Sequence, residues 1–518
     1  MLTVAACGSG ETDRNPETTK PYAKGGTFTL AISADPGSLS PLTSGTRSIA
    51  SQVVAYAYDS LVATTASGEI VPNIASTWNL DASKVTFQIN PDVRCDDGKP
   101  LKPSDIAANF EWMKDPKNES GQIGLTMPDR DFTVTADDPA GTLTLELAKP
   151  FGFLLRAVSE IPIACGSGMA DPAGMEQATH GSGPFGLVSS KPGSEYVFEA
   201  RKGYTWGPDG ASTDAPGFPA KLHLKVVAND TTAANQLLTG ELNAASVSEA
   251  DRDRVKAQGL FVANNFMTNG QLFFNQNTGH AVADQDVRLA LVEALERDEI
   301  MKVTTGGAGM RPVQLAVNAP RGCAGDSLEG NDPPYDLDVA RARLDALGWA
   351  VGPDGIRIKD GKKFKLVYLM QTDHAASVVA GEELVAKQWR DNLGIEVEMR
   401  AKTDASIIDA IFNTDDWDVS WISANSTLPS RIKPFVSGAA PADGGSNFSR
   451  IQNGEYDALA AQAAVTPGEE GCALWLRAEG ALIRDADIVQ LAMSPTTVFG
   501  HKAEFDAILS PTSFRLLK

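Results

Sequence analysis

Apolar and polar residues alternate over 26–33 (GTFTLAIS), 84–90 (KVTFQIN) and 142–147 (TLTLEL), the period of a half-buried strand. Ile106, Ala107, Phe110 and Met113 recur at helical spacing behind Ser104, which predicts a helix with Ser104 as its N-cap. The first third therefore reads as mixed, mostly strand with intervening turns. Val287, Leu291, Ala294 and Leu295 fall on one face of a helix over 286–300 capped by Asp286, and a second helix, 338–347, stops at Gly348. The pattern then repeats: strand 364–369, helix 378–393 ending at Gly394, strand 395–399, helix 404–413, strand 418–422. A β-α-β-α-β succession at this spacing predicts a parallel sheet covered by helices. Trp417 and Trp421 share a face of the last strand by the two-residue period. Two tryptophans on one sheet face are core first and a stacking platform for a ligand second. Pro- and Gly-rich connections occupy 203–219 and 305–335, and no repeat of solenoid length is present.

A chain of 518 residues holds two to four domains or one large bilobal body. With 42% hydrophobic and 21% charged residues it can bury a core, which excludes wholesale disorder. Acidic residues outnumber basic ones 66 to 45, a formal charge of −21. A phosphate backbone would repel such a chain, which argues against nucleic acid as a partner. No window approaches 18 consecutive apolar residues, so no membrane-crossing helix is expected.

The motifs that carry chemistry are weak. GSGPFG at 181–186 fits a dinucleotide fingerprint by letter, but Pro184 lies inside it and the following LVSSKPGSEYVFEA reads as a hairpin, so a structural turn is expected. There is no G-x-x-x-x-G-K-[ST] and no G-x-S-x-G elbow. The five histidines, 180, 223, 280, 374 and 501, stand apart without metal-ligand spacing. Asp415, Asp416 and Asp418 lack the Gly and Glu of a calcium loop and read as a solvated turn before a strand. No enzyme, metal or cofactor is expected.

The start, MLTVAACGSG, places Val4-Ala5-Ala6 before Cys7-Gly8 and resembles the lipobox of bacterial lipoproteins, in which the cysteine becomes an acylated N-terminus. The charged region and most of the apolar stretch that precede a lipobox are missing, so the start is expected to be trimmed or internal. Residues 8–24 lack Phe and branched aliphatics and predict a flexible tether with a reach of roughly 20–25 Å. Four cysteines remain, Cys95, Cys165, Cys323 and Cys472; outside the cytoplasm they suggest two disulfides, with three possible connectivities.

Several segments together resemble the family 5 solute-binding proteins of ABC importers, the oligopeptide, dipeptide and nickel-binding group. They are PNIASTWNLDASKVTFQINPDVRCDDGKPLKPSDIAANFEW (72–112), GSGPFGLVSSKPGSEYVFEARKGYTWG (181–207), LLTGELNAASVS (237–248), FNQNTGHAVADQDVRLALVEALERDEI (274–300) and YDLDVARARLDALGW (335–349). Their order and spacing hold from about residue 25 to the C-terminus.

The resemblance implies an α/β, bilobal, periplasmic-binding-protein-like fold of three parts. After the lipobox and tether (1–24), lobe I comprises 25–46, 168–262 and the return 488–518; a mixed α/β subdomain, 47–167, is inserted into it; lobe II is 263–487. It implies that hinge closure engulfs a ligand in the cleft between lobes. The expected site residues are Ser33, Asp35 and Gly37 at the opening of lobe I, Asn275 and Asn277 near the first hinge crossing, Trp421, Ser423 and Asn425 after the lobe II strand, and Arg431 for a ligand carboxylate. It implies the pairings Cys95–Cys165 and Cys323–Cys472, each within one part. The family's peptide binders carry an Asp shortly after the Trp equivalent to Trp421; here Ser423-Ala424-Asn425 offer no carboxylate. The implied function is capture of peptides for ABC permease subunits by a monomer, lipid-anchored through Cys7 at the extracellular face of the cell membrane. The alternative is a binder of a glycan, glycolipid or other small solute, or an envelope lipoprotein without a transport role.

Overall fold

The structure is a computed structural model and describes residues 21–43, 49–81, 83–124, 126–372 and 374–518. Cys7 and residues 8–20 of the expected tether lie outside the described residues. One ten-stranded sheet organises the rest. Its order is Glu396–Lys402, Lys365–Gln371, Val419–Trp421, Phe261–Phe274, Ile488–Gly500, Ala244–Ser246, Thr27–Ile32, Lys221–Val226, Glu195–Ala200 and Phe185–Lys191. Phe261–Phe274 and Ile488–Gly500 pair antiparallel along nearly their whole length and carry the chain between the two halves of the sheet. The expected parallel unit is present: Lys365–Gln371 pairs in parallel with both Glu396–Lys402 and Val419–Trp421.

Apolar side chains are buried in separate clusters. Phe28 and Leu30 of the first strand pack with Phe185, Phe198, Leu222, Val498 and Phe514. A separate four-stranded antiparallel sheet, built from Ala75–Leu80, Lys84–Ile89, Thr142–Leu147 and Phe132–Asp137, buries Val85, Phe87, Leu143 and Leu145 against Ile106 and Phe110 of helix Pro103–Lys114. The C-terminal half packs one cluster on each face of its sheet, around Trp389 and Trp421 on one side and Trp417 and Trp475 on the other. Phe153 of the four-stranded module joins the second of these and stacks on Trp475, with ring centroids 6.3 Å apart. Disulfides join Cys95 to Cys165 and Cys323 to Cys472, the pairings the resemblance implied. Among the described residues no helix is long and apolar enough to cross a membrane.

Several expectations are corrected. Trp417 and Trp421 lie on opposite faces of the sheet, because the chain bends at Asp418 and Trp417 precedes the strand. Asp418 is buried, not solvated; its carboxylate accepts from Val367 N at 2.7 Å and from His280 Nδ1 at 2.8 Å. The helix after residue 102 is capped by Lys102, since Pro103 occupies its first turn; Ser104 instead donates to Asp138. The span 286–300 divides into Gln285–Glu293 and Arg297–Thr304, and Asp284 is the cap of the first. Residues 21–24 belong to the folded body: Ala23 N donates to Leu516 O at 2.9 Å and Lys518 N to Pro21 O at 2.9 Å. Backbone pairing with the C-terminus supplies the ordering that their side chains do not.

GSGPFG is the structural turn expected of it. Gly183 abuts the backbone of Ala57 and Tyr58, where an added Cβ would lie 2.5 Å from a carbonyl carbon, and a hairpin starts at Phe185.

Candidate functional site

A cavity of about 470 Å³ opens where the parts of the molecule meet. Tyr58 and Ser60 form one wall, directly after helix Ile49–Ala57. Gln122, Ser159, Glu160 and Pro162 of the four-stranded module form the second. Asn265 and Met267 of the long crossing strand, with Asn318, Ala319 and Pro320, form the third. Tyr58 is held in place by the His180 backbone, whose N–H donates to its hydroxyl at 2.9 Å. Beneath it Asp59 is buried and receives hydrogen bonds from Ser182 Oγ at 2.9 Å, Tyr204 Oη at 2.9 Å and Trp206 Nε1 at 3.2 Å. Burial pushes the Asp59 carboxyl above the usual range against the pull of these donors and of nearby Arg201. The side-chain oxygens of Asn265 and Asn318 are buried in the cavity wall and find no protein partner. Buried acceptors without partners are costly, so these two oxygens are open to donors from water or a bound molecule.

A second cavity of about 760 Å³ adjoins the first, and Arg431 lines both. Arg431 Nη2 donates to Glu160 Oε2 at 2.6 Å, joining helix Pro429–Val436 to the four-stranded module, and its Nη1 donates to Thr427 Oγ1 at 3.2 Å. Arg156 extends the same seam: its guanidinium donates to Gly68 O at 2.8 Å and to Arg321 O at 3.0 Å. Burial lowers the pKa of Arg156 to about 10, with Glu160 opposing and Arg431 adding to the fall.

Of the residues expected at the site, the structure brings together Ser423, Asn425 and Arg431, which line the larger cavity. Trp421 is fully buried in the core just behind them and donates Nε1–H to Asn269 O at 3.1 Å. Its ring passes so close to Gly270 that a Cβ there would sit 2.7 Å from it. Ser33, Asp35 and Gly37 border neither cavity; Ser33 edges a pocket of about 180 Å³ at the end of its strand. The Asp35 carboxylate ties down the 191–195 turn, accepting from Gly193 N, from Tyr196 Oη at 2.7 Å and from Gly37 N at 2.8 Å. Burial raises its pKa, but these three donors outweigh it and hold the carboxyl below the usual range.

Asn275 and Asn277 lie beyond the end of the crossing strand. They border neither cavity. Both amides donate to Asp415, at 3.0 and 2.7 Å, because the turn after the strand closes on the 415–418 segment.

The residues that sequence reasoning missed are Tyr58, Ser60, Gln122, Glu160, Asn265 and Asn318. One signal was present: Asp59 interrupts the apolar run 49–63, and a lone acid in such a run predicts a buried, hydrogen-bonded carboxylate. For the two asparagines no local pattern exists, since the cavity wall joins them from separate stretches of chain.

Known proteins give this geometry its context. The family described as bacterial extracellular solute-binding proteins, family 5 Middle, matches residues 69–444. Oligopeptide-binding protein OppA of Bacillus subtilis is 25% identical over 522 residues, covering 95% of this chain and 91% of its own. Protein XP55 of Streptomyces lividans is 26% identical over 403 residues, covering 73% and 69%. Periplasmic murein peptide-binding protein MppA of Escherichia coli is 26% identical over 477 residues, covering 83% and 81%. Among solved structures, the unliganded open form of the murein tripeptide-binding protein MppA superposes with a TM-score of 0.79 at 20% identity, covering 97% of this chain and 99% of that one. HbpA2 of Haemophilus parasuis superposes with a TM-score of 0.79 at 18% identity, covering 95% and 100%. The fold is thus the α/β fold of periplasmic binding proteins over nearly its full length.

Proposed function

Because the chain belongs to the bacterial extracellular solute-binding proteins of family 5, binders of solutes and not enzymes, we propose that it captures peptides in the cleft and delivers them to an ABC importer. The two lobes close over the peptide about the crossing strands Phe261–Phe274 and Ile488–Gly500. Closure is driven by contacts that the ligand makes only when both walls reach it. The closed form is what the permease subunits engage. A lipid on Cys7 holds the protein at the extracellular face of the membrane, and it works as a monomer. The division into lobe I (25–46, 168–262, 488–518), inserted subdomain (47–167) and lobe II (263–487) belongs to the same reading.

The observation that carries the proposal is the wall of the 470 Å³ cavity, where the buried oxygens of Asn265 and Asn318 await donors. A peptide backbone supplies N–H donors at regular spacing, and two amide oxygens receive them without a charge on either side. The relatives named for oligopeptides and murein peptides point the same way. Ser423, Asn425 and Arg431 contribute to the site from the larger cavity, and Trp421 backs them from the core; Ser33, Asp35 and Gly37 lie outside both cavities. The test is native mass spectrometry of the protein isolated from its own envelope. Released masses that fragment as peptides are the expected result. A glycan, a glycolipid or a non-peptide solute in stoichiometric amount would replace the peptide reading.

A further inference from the structure

The larger cavity differs in chemistry from the cleft beside it. Its walls are Phe273, Phe412, Phe448, Ile411 and Ile422, with Met127 and Phe151 closing it from the four-stranded module. The rings form a continuous surface: Phe273 and Phe412 sit 5.1 and 5.7 Å from Phe448, centroid to centroid. Two exposed large apolar side chains, Ile408 at 42% and Phe435 at 38%, stand at its mouth. Among the described residues that line it, Arg431 is the one charged group, and Glu160 already neutralises it. The Ser423 side-chain oxygen is buried in the wall without a partner. At about 760 Å³ the space falls in the range of ligand sites, and its combination of apolar walls with a few polar atoms is what such sites present. Water held against these rings gains few hydrogen bonds, so an apolar group that displaces it is favoured. A charged group placed there would be buried without a counter-charge.

We propose that this cavity takes a large apolar side chain of the bound peptide, aromatic or branched aliphatic, while the adjoining cleft holds the peptide backbone. Arg431 and Glu160 stand at the passage between the two and set the point where the side chain leaves the backbone. The proposal rests on the peptide reading above and makes a narrower claim: the protein selects peptides with one bulky apolar residue and rejects acidic or basic residues at that position.

The test uses the intact protein, trialanine, and the three trialanine analogues that each carry one Phe. Titration calorimetry should give one analogue an affinity higher than trialanine by roughly tenfold to a hundredfold, the value of burying one such side chain. Ser430→Trp, a half-buried wall position, fills the cavity and should erase this preference, so that the Phe analogue binds no better than trialanine. Thermal melting confirms that the variant is folded; should it not fold, Phe435→Ala at the exposed rim is read instead and should reduce the preference. A Phe preference that survives a folded Ser430→Trp, or no preference at all, overturns the proposal. Normal peptide binding with uptake lost in Ser430→Trp cells also overturns it, because the cavity would then serve the permease. Should no peptide bind, the peptide reading itself fails, and the uncharged dye N-phenylnaphthylamine decides the cavity. One dye per protein, lost in Ser430→Trp, would retain an apolar ligand site; no dye bound would remove it.

Discussion

Arg431 Nη2 and Glu160 Oε2 meet at 2.6 Å across the seam between helix Pro429–Val436 and the four-stranded module. Their side chains are 18% and 23% exposed, so solvent screens the pair only in part. The pair stands at the junction of both cavities, where opening of the molecule would part it.

The strength of this contact can be measured directly. A double-mutant cycle with Glu160→Gln and Arg431→Gln should return a coupling energy of about 0.5–2 kcal/mol in the ligand-free protein, above the range of fully exposed pairs at its upper end. Hydrogen exchange at the 318–322 segment should quicken in either single variant, since Arg156 and Arg431 bind the same seam. A coupling indistinguishable from zero would show that the ion pair adds nothing to a seam held by Arg156 and by the packing of Phe153 on Trp475.

The two disulfides enclose sequence separations of 70 and 149 residues. Loop-closure entropy grows only slowly, by ~0.6 kcal/mol for a doubled loop, so the two should stabilise the fold by similar amounts. Replacing either pair by serines is expected to cost about 2–5 kcal/mol in denaturant melts. Non-reducing peptide mapping that recovers a Cys95–Cys472 peptide would contradict the pairing.

Glu479 predicts a pH dependence of stability. Burial pushes its carboxyl up to about 7 from the ordinary 4.5, although Leu315 N and Ser327 Oγ each donate to it at 2.9 Å. The folded state therefore holds this proton more tightly than the unfolded chain. The stability that results is complete below about pH 4.5 and is lost as the pH rises through 7. At ~1.4 kcal/mol per pH unit the loss amounts to roughly 3 kcal/mol. Glu479→Gln should flatten that part of the profile in denaturant melts between pH 4.5 and 8; an unchanged slope would assign the effect to other groups.

Recognition of a peptide's α-ammonium should be weak. Ser423, Ala424 and Asn425 place no carboxylate beside the cavities, and Asp35 and Asp418 are engaged with backbone amides away from them. Among the described residues, Glu160 is the one acid lining the cavity of about 470 Å³, and Arg431 already occupies it. N-acetylation of a bound peptide should therefore reduce affinity by well under 100-fold, which is about 2.7 kcal/mol and lies within the ~2–5 kcal/mol that loss of a buried charge partner costs. Calorimetry on a peptide and its N-acetyl form reads this; a larger loss would mean that the ammonium displaces Arg431 from Glu160.

Local pattern was enough for most of the secondary structure. The helix over Asp404–Asn413 and the parallel unit around Lys365–Gln371 follow from apolar periodicity and from glycines such as Gly394, whose φ of +65° ends a helix. These depend on neighbours within a few residues, and a sequence records such neighbours in order. The family was legible for the same reason, since it rests on short motifs at kept spacing. Loss came where one residue's environment depended on distant chain. A bend at Asp418 moved Trp417 to the face opposite Trp421, because the two-residue period holds only while the backbone stays extended. Asn275 carried the right chemistry for a ligand, yet the fold closes it on Asp415 and Trp417 O. Asn265 and Asn318 carry no pattern, yet the fold sets them in one cavity wall with Tyr58 and Glu160. A strand or helix is the outcome of local backbone sterics and burial on one face. A cleft is the gap left between surfaces whose residues lie hundreds of positions apart, and only packing in three dimensions decides which side chains face it.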